Sequence, residues 1–170
     1  MRRELENGSL SFQNTPILSP NTPVLSPNTP LAVQNTLTIS TNGQGLTEFT
    51  REAEHFVAAS GIATGLLTLF VRHTSCSLLI QENADPDVQR DLAEFLSRFV
   101  PPSNDPSQSW MRHTAEGPDD MPAHIKAEVL PVSLTVPVAD GRLQLGTWQG
   151  LYLFEHRDRP HERQVVLHLA

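Results

Sequence analysis

The sequence predicts an α+β domain behind a low-complexity leader. Runs of apolar residues at period two recur through residues 31–170 and crowd towards the C-terminal end, as strands do. Three intervening stretches show helical spacing instead. Helices and strands do not alternate regularly, which disfavours a βαβ repeat and its parallel sheet.

The leader is residues 1–30. Residues 14–30 read NTPILSP NTPVLSP NTP, a seven-residue repeat. A heptad invites a coiled-coil reading, but each repeat carries two prolines. A proline inside a helix costs about 3 kcal/mol. The segment is expected to be extended and polyproline-like, without a packed role. The α+β domain is expected to span residues 31–170.

Within it, Leu31, Val33, Leu37 and Ile39 share one face at period two and predict a first strand. TNGQG (41–45) predicts a turn. LTEFTREAEHFVAAS places Leu46, Phe49, Ala53, Phe56 and Val57 at helical spacing, and Gly61 supplies the stop. GLLTLFVRHTSCSLLIQE predicts one long strand, or two broken near His73–Ser75. Asp85 is suited to cap the next helix and Pro86 to open it. Val88, Leu92, Phe95, Leu96 and Phe99 form its apolar stripe, and Pro101-Pro102 end it. Residues 101–112 read as a polar loop. A cap at Asp119 or Asp120 opens a short helix through MPAHIKAEVL. SLTVPV, RLQLGTW, GLYLFEHR and RQVVLHL predict the closing strands, with ADGR (139–142) as a hairpin turn.

Composition excludes several functions. The net charge of -7 falls entirely on residues 45–170, which hold 10 Arg and Lys against 17 Asp and Glu. Such a domain repels phosphate backbones, so no nucleic-acid partner is expected. A small anionic substrate stays open, because a local arginine or metal overrides the overall field. Cys76 is the single cysteine, so no intrachain disulfide forms. No apolar run approaches the roughly 18–20 residues of a membrane helix, and MRRELENGSL is not a secretory signal. A cytoplasmic protein with no membrane partner is the expectation.

The densest chemistry is HTAEGPDDMPAHIK, residues 113–126, which gathers two imidazoles, three carboxylates and two prolines around a turn. Neutral imidazoles bind borderline metals such as zinc. Glu116, Asp119 and Asp120 could add ligands, or accept hydrogen bonds that fix the tautomers. The plainer reading makes Asp119 or Asp120 a helix cap. His73 stands at a strand end beside small hydroxyls in HTSCS, and His156 ends a strand in EHRDR. His55, His161 and His168 read as surface or structural residues. Cys76 reads as a buried, inert thiol. In DGRLQLGTWQG, Gly146 and Gly150 bracket Trp148 and mark a bulge or a close backbone approach. Trp148 could lie over a ligand or at a subunit interface. Arg142 and Arg157 are candidate anion clamps.

HTSCSLLIQENADPDVQRDLAEFL, HTAEGPDDMPAHIKAEVL and GRLQLGTWQGLYLFEHRD, in that order, resemble the YjbQ family of secondary thiamine-phosphate synthase enzymes, over roughly residues 33–170. The resemblance implies a β-sandwich-like core with about three helices, assembled as a homotrimer. It implies a weak transfer reaction that joins hydroxymethylpyrimidine diphosphate to a thiazole phosphate and releases pyrophosphate. It also implies a divalent metal, zinc by preference, at His73, His113 and His124, with His156 in reserve. Cys76 replaces a small residue such as alanine, which argues against a thiol mechanism. Glu116, Asp85 and Asp119 are then the candidate bases or orienting carboxylates. Trp148, Arg142 and Arg157 are the candidate contacts to a small phosphorylated metabolite. Lys126 is the only lysine and no P-loop is present, so such a site would lean on its metal. A metal-dependent hydrolase of a phosphorylated or acylated metabolite uses the same residues. A trimeric metal- or ligand-binding module without turnover is the third alternative.

Overall fold

Two antiparallel sheets share one apolar core in a computed structural model that describes residues 31–170. The leader and its repeat lie outside the described residues. The elements run β1 (Val33–Ser40), β2 (Gly45–Glu48), α1 (Thr50–Ser60), β3 (Gly65–Val71), β4 (Cys76–Glu82), α2 (Pro86–Phe99), a 3₁₀ turn (Pro106–Gln108), α3 (Asp120–Val129), β5 (Ser133–Ala139), β6 (Arg142–Leu143), β7 (Gln149–Glu155) and β8 (Glu162–Leu169). The larger sheet has the order β1-β8-β3-β5-β6 and the smaller β2-β7-β4. This is the α+β architecture expected, with three helices.

Period-two alternation builds the core. Leu67, Leu69 and Val71 on β3, and Val165, Leu167 and Leu169 on β8, turn inward from the larger sheet. Leu78 on β4 and Leu151 and Leu153 on β7 join them from the smaller one. Each fully buried side chain of this kind stabilises the fold by about 1.5–3 kcal/mol. Ala53 and Val57 bring one face of α1 into the same cluster. α3 packs on β4 and α2 on β2.

Local signals decide most boundaries. The Asp85 side chain accepts from the Asp87 N–H at 2.9 Å and Pro86 opens α2, a cap of about 1 kcal/mol. Gly61 ends α1 in the left-handed conformation. Asp140 and Gly141 both take positive φ, the geometry of a two-residue hairpin turn. The run from Gly65 to Glu82 is two strands, broken at Arg72–Ser75.

Four expectations are corrected. The helix does not begin at Leu46. Residues 45–48 pair with β7, Leu46 opposite Phe154, because that strand's free edge needs hydrogen-bond partners more than Leu46 needs a helix. RLQLGTW is a strand only at Arg142–Leu143. Beyond it the Gly146 N–H donates to Gln149 Oε1, and the chain turns away from the sheet. The apolar stripe of α2 is covered only in part: Leu96 is buried and Val88 and Leu92 are half-buried, while Phe95 and Phe99 stack on each other in the open. Asp119 occupies the N-cap position of α3, but its side chain makes no cap bond.

Where β7 and β8 come together, the core holds charge. Glu155 and Arg163 are both essentially inaccessible, and Arg163 grips the carboxylate through Nε and Nη2, each at 2.7 Å. Arg163 Nη2 also donates to Ser75 Oγ at 3.1 Å, and Thr41 Oγ1 donates to Glu155 Oε2 at 3.1 Å. The backbone N–H groups of His156 and Arg157 complete the carboxylate's shell. Burial alone would raise Glu155, but these hydrogen bonds more than offset it and hold the carboxyl below its ordinary range. His156 is buried beside Phe154, with Nε2 2.9 Å from Ser77 Oγ and its other ring nitrogen unpartnered. Burial, then the charge of Lys126, pushes its imidazole down to about 3.

Both depressed values make the fold acid-sensitive. Below its ordinary value of 6.5, His156 takes up a proton in the unfolded chain but not in the folded one. Stability therefore falls as pH drops from that value, and Glu155 adds a further loss as the pH falls through its own folded pKa. At about pH 5 the His156 contribution amounts to roughly 2 kcal/mol relative to pH 7. Urea midpoints at the two pH values should differ in the wild type and converge in His156→Asn. Equal midpoints in the wild type would contradict this account of the buried imidazole.

Candidate metal centre

The loop after β7 and the start of α3 are locked together by one arginine. Arg157 donates through Nε to Asp119 Oδ2 at 2.8 Å, through Nη1 to Asp120 Oδ1, and through Nη2 to the Glu116 carbonyl at 2.9 Å. The Asp158 N–H adds a bond to Asp119 Oδ2 at 3.0 Å. Burial would raise Asp119, but the bonds from Asp158 and Arg157 prevail and hold it below the usual carboxylate range. The turn into α3 needs Gly117. Its φ is 113°, and a Cβ there would lie 2.9 Å from Asp119 Oδ1.

Asp120 is the hub. Its side chain is 3% exposed, and Arg157 holds one oxygen while the other faces two imidazoles. His113 Nε2 lies 2.6 Å from Oδ2, and His124 Nε2 lies 3.5 Å from the same atom. One donor atom from each of His113, Asp120 and His124 falls within 4.8 Å of the others. His124 is further oriented by its Nδ1, which donates to the Thr74 carbonyl at 3.0 Å. In a neutral ring that bond places the proton on Nδ1. Nε2 then lies 3.5 Å from a carboxylate oxygen, a spacing that a cation or a proton between them would satisfy. Two imidazole nitrogens and one carboxylate oxygen, with a backbone carbonyl fixing one ring, fit a borderline divalent metal.

The other sequence candidates are dispersed. His73 stands outside this three-atom group, with its Nδ1 turned to Ser75. It shares with His124, Arg72 and Thr74 the wall of a cleft of about 800 Å³. His156 points into the core, not towards the cluster. Asp85 caps α2, and Glu116 is exposed on the turn before α3. Arg157 is committed to the two aspartates. Arg142 is exposed on β6, and Trp148 is 64% exposed before β7. Cys76 is fully buried, and burial pushes its thiol up to about 12, the inert state expected. The histidine triad implied by the resemblance omits Asp120. Its signal was the Asp120–His124 spacing, which sets the two on one face of a helix.

Comparisons with known proteins give the family and the fold. The sequence profile described as UPF0047 protein YjbQ-like matches residues 35–170. The chain belongs to the YjbQ family. A UPF0047 protein of Synechocystis sp. is 50% identical over 137 residues, covering 81% of this chain and 90% of the relative. The UPF0047 protein YjbQ of Salmonella typhimurium is 42% identical over 134 residues, covering 78% and 94%. Among solved structures, an uncharacterized YjbQ-family protein from Clostridium acetobutylicum superposes with a TM-score of 0.69 at 33% identity, covering 81% of this chain and 99% of that one. A conserved hypothetical protein from Thermus thermophilus gives 0.69 at 36% identity, covering 80% and 99%. These names place the chain among YjbQ proteins and state no activity.

Arg157 is the residue whose loss tests the construction. Arg157→Met leaves two poorly solvated carboxylates without their cation, which should cost roughly 2–4 kcal/mol. Urea unfolding at neutral pH would measure it, and a variant as stable as the wild type would show that the arginine does not hold the cluster.

Proposed function

We propose that this chain is a divalent-cation-dependent enzyme acting on a small phosphorylated metabolite. The reaction is weak thiamine-phosphate synthesis, in which hydroxymethylpyrimidine diphosphate joins a thiazole phosphate and pyrophosphate leaves. The observation that carries the reading is the orientation of His124. With Nδ1–H committed to the Thr74 carbonyl, its Nε2 faces Asp120 Oδ2 at 3.5 Å, and the pair is complementary to a cation.

His113, Asp120 and His124 would hold the ion, and zinc suits their donor set. When bound, it supplies the positive charge that stabilises a departing diphosphate. The chain's own residues prepare the place. Arg157 fixes Asp120 by one oxygen and turns the other, hydrogen-bonded to His113, towards the imidazoles. Asp119 is fully engaged with Arg157 and Asp158, so it orients and does not transfer protons. Glu116 is exposed and is the carboxylate free to act as a base. The cleft beside His124 offers Arg72 and His73 to an anion, while Lys126 is buried against Gln44 and is not among its lining residues. So few fixed cations suit a slow or secondary synthase.

A homotrimer is part of the proposal. Phe95, Phe99 and Trp110 are large apolar groups left exposed, and a partner subunit would cover them.

Elemental analysis of untagged protein purified without chelators tests the site. About one zinc-like ion per chain is expected, lost together with turnover in His113→Ala and His124→Ala. Wild-type protein that stays metal-free after incubation with zinc, manganese and iron would overturn the reading. Product analysis then separates synthesis, which needs both substrates, from hydrolysis of one. Tight ligand retention without turnover would identify a binding module.

A further inference from the structure

His73 is built differently from His113 and His124. Its Nδ1 receives the backbone N–H of Ser75 at 3.2 Å and lies 3.0 Å from the Ser75 hydroxyl. A backbone N–H donates only to an unprotonated nitrogen, so Nδ1 carries the lone pair and the proton of the neutral ring sits on Nε2. The hydroxyl agrees with this assignment. Ser75 Oγ accepts from Arg163 Nη2 at 3.1 Å, which turns its own proton towards His73. Arg163 is itself immobilised by the two bonds to Glu155, deep between the sheets. A chain of hydrogen bonds thus runs from a buried ion pair to one exposed imidazole.

His73 stands where two depressions meet. One is the 800 Å³ cleft that it shares with Arg72, Thr74, His124 and Glu128. The other is a smaller hollow lined by Arg72, Arg163 and Glu162. Among the described residues, no side chain or carbonyl accepts from its Nε2.

We propose that the Glu155–Arg163–Ser75 relay locks His73 in its Nε2–H tautomer, and that this N–H donates to a phosphate or diphosphate oxygen bound in the cleft. The inference rests on the reading of the cleft as the place of a phosphorylated substrate. It makes His73 a neutral donor to the anion and not a fourth partner of the His113–Asp120–His124 group. Ser75 and Arg163 are positioning residues that act through His73. Arg72 shares its wall and adds charge, whereas the Glu128 carboxylate on the same wall repels an anion placed too far along it.

The test is a long-range ¹H–¹⁵N correlation spectrum of the histidine rings at about pH 8, where imidazole is neutral, before and during titration with inorganic pyrophosphate. His73→Ala assigns the signals and retains the fold, because the side chain is exposed; Ser75→Ala removes the hydroxyl link alone. The wild type should show an unprotonated Nδ1 and a protonated Nε2 for His73, and Ser75→Ala, which keeps the backbone N–H but loses the hydroxyl, a measurable fraction of the other tautomer; a ring locked as fully in Ser75→Ala as in the wild type would overturn the relay's part in the lock. Pyrophosphate should move the His73 signals saturably, and the affinity read from the His124 signals on the same cleft should be roughly tenfold weaker in His73→Ala than in the wild type, while zinc content stays at the wild-type level. A protonated Nδ1 in the wild type would overturn the lock. A pyrophosphate response that survives His73→Ala unchanged would overturn the donor role alone. A locked tautomer with no pyrophosphate response in the wild type would overturn the donor role and the cleft reading together.

Discussion

Glu155 and Arg163 meet between the two sheets, and the surrounding structure is arranged to keep them paired. Two charges taken out of water are costly, and their attraction compensates only when hydrogen bonds satisfy what remains. Here they do: both carboxylate oxygens and both engaged guanidinium nitrogens have partners. The pair joins β7 of the smaller sheet to β8 of the larger. It therefore fixes three things at once. The chain leaving β7 carries Arg157 to the aspartates, the chain entering β4 presents Ser75 to His73, and Thr41 ties the end of β1 to the Glu155 carboxylate.

The candidate centre is assembled from that frame outwards. Arg157 neutralises Asp119 and Asp120 and so allows Asp120 to be buried. A buried, oriented carboxylate can then face His113 and His124, one from the preceding turn and one from a helical turn later. The histidines are oriented by different backbone groups. His124 has its Nδ1 proton on a carbonyl, leaving Nε2 as a donor of electrons, and His73 has its Nδ1 filled by an N–H, leaving Nε2 as a donor of a proton. One arrangement suits a cation and the other an anion, and they share a cleft.

Much of this was legible in the sequence. Period-two alternation identified the strands, Asp85-Pro86 and Gly61 marked helix ends, and the motif from His113 to Lys126 stood out as chemistry. What failed did so for physical reasons. Leu46 and Phe49 fit a helix by spacing, but the edge of β7 claimed residues 45–48, a demand no local window contains. Asp119 has the residue type of a cap, but an arginine 38 positions away took its carboxylate. The buried ion pair was within reach. Leu151, Leu153 and Glu155 share a face, as do Arg163, Val165, Leu167 and Leu169, so the inward register of both strands ends on opposite charges. Tautomers were out of reach, because they depend on Thr74 and Ser75 backbone groups placed by the fold.

The central claim is that His113, Asp120 and His124 surround a divalent cation. Anomalous diffraction at the zinc absorption edge, from crystals of protein prepared without chelators and supplied with zinc, tests it most directly. The account predicts an anomalous peak bounded by His113 Nε2, His124 Nε2 and an Asp120 carboxylate oxygen. Zinc density elsewhere, with His113 still in direct hydrogen bond to Asp120, would contradict it.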